Sequence, residues 1–158
     1  MDQCWLYHLA TKKWEAMPPL FTARRYHRSV SLGDGVYVVG GMDAANNDTP
    51  EVCSFGAAVS LNNCIYLVGG DNRTCLKYAP ASDSWTRLSR PKLNHGTAPA
   101  AVWRGSILLA GGVRSGKEDL SSVIEQFDPA TDTWSVYNTT LKAPLWCHSL
   151  FNVDLYGV

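Results

Sequence analysis

The chain has 158 residues, 46% of them hydrophobic, and its 14 Lys plus Arg balance 14 Asp plus Glu to a formal net charge of zero. That length suits one globular core, and neutrality removes the clustered Lys and Arg that phosphate binding needs, so neither DNA nor RNA is an expected partner. No apolar run approaches the roughly 18 residues of a membrane span, and the N-terminal stretch lacks the basic start, apolar middle and small-residue cleavage site of a secretory leader, which reads as a cytoplasmic protein with no membrane contact.

In chain order, Trp5-Leu6-Tyr7 and Lys13-Trp14 read as two strands around a turn at 10–12. Val36-Tyr37-Val38-Val39 is a short apolar strand that ends on Gly40-Gly41. Residues 42–50 then lead directly into Glu51-Val52-Cys53-Ser54-Phe55, with no aromatic hairpin between. Residues 55–61 form a small-residue strand, Asn62-Asn63 supplies the left-handed residues of a tight hairpin, and Ile65-Tyr66-Leu67-Val68 returns to Gly69-Gly70. After a polar loop at 71–74, strands at 75–79 and 84–88 flank a turn at 80–83. The plan repeats: a strand at 98–103, a turn at Arg104-Gly105, Ile107-Leu108-Leu109-Ala110 into Gly111-Gly112, then strands at 123–127 and 133–137. Further strands are expected at 148–153 and at Leu155-Tyr156.

Two spacings make this a repeat. Trp14, Trp85 and Trp134 each follow an aromatic residue by seven positions, namely Tyr7, Tyr78 and Phe127. The intervals from Trp14 to Gly40 and from Trp85 to Gly111 are equal. In the last hairpin, Asp128-Pro129-Ala130-Thr131 has Asp and Pro where a type I turn uses them. A four-residue loop then pairs Asp128 with Thr133 and sets Phe127 opposite Trp134. Such pairs expose a wide apolar face that a lone sheet cannot cover. Side-by-side stacking of the units is therefore expected, with each Gly-Gly placed where the strand turns sharply or a neighbouring ring nears the backbone.

The roughly 50-residue period, the strand count and the aromatic-glycine signature are those of kelch repeats. Arg24-Arg25-Tyr26-His27-Arg28-Ser29-Val30 running into Val36-Tyr37-Val38-Val39-Gly40-Gly41, and the stretch from Gln126 to Trp134, resemble the kelch domain of the BTB-kelch (kelch-like) family. The resemblance implies an all-β fold: an incomplete kelch β-propeller of about three to four partial, four-stranded antiparallel blades. The units would be an outer hairpin at 1–17, a blade lacking its outer hairpin at 18–50, blades at 51–90 and 91–140, and the start of another at 141–158. Closed propellers have four to eight blades, so the chain reads as part of a ring. Its open edges are expected to invite pairing with other chains, giving aggregation or partial folding when it is expressed alone.

The resemblance further implies a protein-interaction module that recognises substrates for a cullin-RING ubiquitin ligase, although no BTB region lies in this sequence. Actin binding is the alternative, and a propeller enzyme of the copper-oxidase kind a weaker one. In the family, arginines just before the innermost strand commonly contact substrate, and the matching positions here hold Arg24, Cys53 and His95. Arg25, Asp71, Asn72, Arg73, Asn94, Arg114 and Lys117 are rim candidates by the same loop logic.

No catalytic residue, cofactor or metal site is expected. Gly111 to Lys117 mimics a phosphate-binding loop, but Glu118 stands where Ser or Thr should bind magnesium and no helix is expected to follow. His8, His27, His95 and His148 lie far apart. Cys4, Cys53, Cys64, Cys75 and Cys147 are odd in number with no Cys-x-x-Cys, so they read as buried free thiols. Sequons at Asn47, Asn72 and Asn138 would matter only in a secreted protein.

Overall fold

The computed structural model of the chain describes residues 2–45, 55–114 and 119–150. Its strands are β1 (Cys4–His8), β2 (Lys13–Met17), β3 (Arg28–Leu32), β4 (Gly35–Val39), β5 (Gly56–Leu61), β6 (Cys64–Gly69), β7 (Thr74–Ala79), β8 (Ser84–Arg87), β9 (Ala100–Trp103), β10 (Ser106–Ala110), β11 (Val123–Asp128) and β12 (Thr133–Thr140). They form four antiparallel sheets, β1-β2, β3-β4, β5-β6-β7-β8 and β9-β10-β11-β12, which do not close a ring. The only helical element among the described residues is a 3-10 turn at Pro80–Ser82. This is the all-β, partial propeller expected.

Local chemistry sets the turns. Asn62 and Asn63 adopt φ of +50° and +57°, and Arg104 and Gly105 adopt +49° and +77°, the left-handed pairs that fit the twist of a two-residue hairpin. The outer hairpins each close on a residue at positive φ, Lys12, Asp83 or Asp132. In the third of them the Asp128 carboxylate accepts the Ala130 N–H at 2.9 Å, and Phe127 lies opposite Trp134 as the spacing requires. The three aromatic pairs are near copies: Tyr7–Trp14, Tyr78–Trp85 and Phe127–Trp134 have ring centroids 4.9, 5.0 and 5.1 Å apart.

Stacking buries these faces between sheets. Ala57, Val59, Tyr66 and Val68 of the third sheet pack with Ile107, Leu109, Phe127 and Trp134 of the fourth. Val39 of the second sheet packs with Leu67 and Leu76 of the third. Tyr37 meets Tyr78 and Tyr66 meets Phe127, both at 6.2 Å, so equivalent rings repeat the contact from one interface to the next. Exposure of the repeated indole follows how much sheet lies in front of it. Trp134 is 6% exposed against the four-stranded third sheet, Trp85 is 37% exposed against the two-stranded second, and Trp14 is 66% exposed.

A clasp completes the third interface. The Trp134 indole N–H donates to the Ser89 carbonyl at 2.9 Å. Ser89 in turn donates its N–H to the Asp132 carboxylate at 2.9 Å and its hydroxyl to the Asp132 carbonyl at 2.6 Å.

The glycine pairs turn the chain sharply and sit where neighbouring groups crowd the backbone. All six residues have φ between +68° and +90°; linker backbone crosses Gly41 and Gly112, the Leu109 side chain meets Gly69, and the Leu145 carbonyl and the His148 ring meet Gly111. A Cβ on Gly41 would stand 2.5 Å from the Arg25 carbonyl oxygen, and one on Gly112 would stand 2.8 Å from that of Gly96. Gly112→Ala is therefore expected to cost about 1–3 kcal/mol, read from the urea midpoint. Gly33→Asn should change little, because Gly33 has open space around it and a φ of +58° that Asn tolerates.

One regularity had no sequence signal. Tyr26, Phe55, Thr97 and Cys147, each just before an innermost segment, all take φ between +51° and +60°. Thr97 N–H donates to Phe55 O at 2.8 Å and Cys147 N–H to Thr97 O at 3.3 Å. Successive linkers are thereby joined near the ring axis, and these bonds offset the cost of the left-handed backbone.

Candidate functional site

Each glycine pair throws the chain into a loop on one rim, beside the linker that enters the next sheet. Gly70 bridges His95 and Gly96 bridges Val113, which brings the 71–73 loop, the 90–95 linker and the start of the 113–119 loop side by side. The result is an open cleft of about 470 Å³ between the third and fourth sheets. Asp71, Asn72, Arg73, Asn94 and Arg114, all expected on the rim, line this one cleft together. Arg90, Lys92 and Leu93 join them.

Arg90 and Lys92 are the residues that loop logic missed. Their signal is the basic pair flanking Pro91 in the linker to the innermost strand. Among the described residues, four cationic side chains and one carboxylate, Asp71, line the cleft. The Arg73 guanidinium donates to the Lys92 carbonyl at 3.1 Å, and Asn94 Nδ2 donates to the Arg114 carbonyl at 2.8 Å. Arg114 also holds Asp119 at 2.7 Å, an exposed pair of small energetic consequence. A chain with no net charge thus concentrates positive charge at one site.

Beneath the cleft lies an ion-pair network. His95 and Glu125 are fully buried, with His95 Nε2 at 2.9 Å from Glu125 Oε2 and His95 Nδ1 at 2.6 Å from the Gly111 carbonyl. Both ring nitrogens lie within hydrogen-bond distance of an oxygen. Glu125 also accepts the backbone N–H groups of Lys92 at 3.0 Å and Leu93 at 2.9 Å. Burial pushes the Glu125 carboxyl up, but the bonds from His95, Leu93 and Lys92 outweigh it and hold the group below the ordinary carboxylate value. The glutamate of β11 therefore fixes the backbone of the cleft floor.

His95, expected on the rim, is withdrawn from the surface by this network. Arg24 occupies the equivalent place in the second sheet, where its guanidinium donates to the Gly40 carbonyl at 3.2 Å as His95 does to Gly111. Arg24 and Arg25 line a separate, smaller cleft of about 120 Å³ with Met42 and Asp43. Arg25 lies 5.7 Å above the Tyr26 ring. Lys117 and Cys53 lie outside the described residues. Of the described cysteines only Cys75 is buried, while Cys4 and Cys64 are half-buried and Cys147 is exposed. Among the described residues no group of three His, Cys, Asp or Glu is placed to hold a metal ion.

Residues 96–139 match the Kelch motif family. The chain is 27% identical to Kelch-like protein 36 of Bos taurus over 129 residues, covering 82% of this chain and 18% of that protein. It is 29% identical to Kelch-like protein 25 of Xenopus tropicalis over 133 residues, 84% of this chain and 20% of the relative. Kelch-like protein 21 of Mus musculus is 32% identical over 88 residues, 56% of this chain and 15% of the relative. The aligned region thus amounts to about a fifth of the length of these relatives. Repeated Gly-Gly strands, Tyr/Phe–Trp hairpins and stacked antiparallel sheets agree with these matches: the chain is an all-β stack of partial propeller blades, carries a Kelch motif at 96–139 and is similar over most of its length to the kelch-like proteins.

Proposed function

We propose that this kelch module binds a partner protein through the basic cleft between its third and fourth sheets, and that the recognised segment is acidic. The observation that carries the reading is the gathering of Arg73, Arg90, Lys92 and Arg114 on one rim, with Asp71 as the one lining carboxylate among the described residues, in a chain of zero net charge. Clustered charge of one sign raises the encounter rate and selects partners of the opposite sign. An array of short peptides graded in Asp and Glu content tests it. Binding should rise with acidity, weaken with added salt, and fall at least about tenfold in Arg90→Glu/Lys92→Glu, a loss of about 1.4 kcal/mol. Arg25→Glu, in the separate cleft, should bind as the parent does. Indifference to peptide charge would overturn the assignment.

The partner is best read as a substrate presented to a cullin-RING ubiquitin ligase, a role that rests on the resemblance to the kelch-like family. The catalytic steps would then belong to other subunits, and this chain supplies selection alone. Affinity capture with the full chain should recover acidic substrates together with ligase subunits when the chain is joined to a BTB region. Cosedimentation with actin filaments, without ligase subunits, would favour the cytoskeletal alternative.

A further inference from the structure

We propose that β4 is completed by the β1-β2 hairpin of a second copy of this chain, so that two copies exchange hairpins. The equivalent strands β6 and β10 each pair on both sides, β6 with β5 and β7 and β10 with β9 and β11. Among the described residues β4 pairs with β3 alone, and Val36 is left 74% exposed. Trp85, which faces this two-stranded sheet, is half-covered, and among the described residues no carbonyl serves its indole as Ser89 serves Trp134.

The chain carries the hairpin that fits. Cys4-Trp5-Leu6-Tyr7 matches Cys75-Leu76-Lys77-Tyr78 of β7, and Trp14 matches Trp85 of β8. The hairpin is already in register, Tyr7 opposite Trp14 as Tyr78 is opposite Trp85. Among the described residues its own sheet has two strands. In the third sheet Ile65 lies opposite Tyr78 and Val68 opposite Cys75. Counting back from each glycine pair, the second copy's Tyr7 would lie opposite Val36 and its Cys4 opposite Val39. Four residues beyond Trp14, the second copy's Pro18 carbonyl would stand for Trp85 where Ser89 stands for Trp134. A vacancy and its filler on the same chain are self-complementary, so a reciprocal two-fold exchange satisfies both copies. It also blunts the exposed edge of β4.

The register makes the test specific. Val39→Cys protein, half of it isotopically heavy, is unfolded as a mixture, refolded and oxidised with diamide. A disulfide between Cys4 and the thiol introduced at position 39 is expected in covalent dimers, with about half of the linked peptide pairs joining a heavy to a light chain, the statistical share for random pairing of equal halves. The same variant with Cys4→Ser should lose the dimer band. In parallel, light scattering of the unsubstituted chain should give a dimer that dissociates on dilution. A monomeric unsubstituted chain at every concentration, or a disulfide from Cys4 to the introduced thiol confined to same-isotope pairs, overturns the proposal in favour of an isolated or self-closed hairpin. Neither result bears on peptide binding at the rim cleft.

Discussion

Glu125→Ala should lower stability by about 3–5 kcal/mol, because it strips one partner from the fully buried His95–Glu125 pair. Two further donors, the Lys92 and Leu93 N–H groups, lose their acceptor at once. Urea unfolding at fixed protomer concentration measures the loss. Glu125→Gln keeps the shape but loses the charge and one acceptor, so it should fall between parent and alanine variant. The parent has a pH signature as well. Because folding lowers the Glu125 pKa, its contribution is complete above the unfolded value of about 4.3 and is lost as pH falls through the lower folded value. Glu125→Gln should therefore flatten the acid limb of the stability profile. An unchanged acid limb would show that this carboxylate is not what couples the protein to pH. Since Glu125 holds the backbone of Lys92 and Leu93, the same variant should weaken acidic-peptide binding without touching a cleft cation.

The parts of the fold that recur along the chain were legible because a repeat states its geometry more than once. The seven-residue step from Tyr or Phe to Trp marks three hairpins, and Asp128-Pro129 sets the register of the last. The rim was legible by loop logic for Asp71, Asn72, Arg73, Asn94 and Arg114, since residues that follow a glycine pair or precede an innermost strand share one edge. What stayed hidden depends on partners distant in sequence. His95 read as a rim residue because its position follows the arginine pattern, whereas its burial depends on Glu125, thirty residues on, in a strand that looks like any other. Likewise the glycine pairs announce a close approach, but only packing shows what approaches: linker backbone at Gly41 and Gly112, and side chains as well at Gly69 and Gly111. Non-glycine residues at positive φ, such as Phe55 and Thr97, carry no compositional mark at all.

The three repeated tryptophans should respond to alanine in the order of their cover, not of their chemistry. Trp134→Ala removes an indole that is 6% exposed, packed among Tyr66, Ile107 and Phe127 and bonded to Ser89. It should cost about 3–5 kcal/mol, as large buried rings do. Trp14 sits in the same kind of hairpin with the same tilted partner ring, yet is 66% exposed. Its loss removes mainly one aromatic pair, about 0.5–1.5 kcal/mol. Trp85, at 37% exposed, should lie between them. The comparison separates two accounts of what the repeat is for. If the hairpin were self-sufficient, the nearly identical ring pairs would make the three substitutions equal. If the covering sheet supplies the energy, the losses rank with burial, and the rank is read from urea midpoints of the three variants at one protomer concentration. Hairpin exchange adds a condition of its own: on dilution below the dimer range, the Trp85 effect should shrink while that of Trp134 holds, because of these two indoles only Trp85 faces the sheet that a second copy completes.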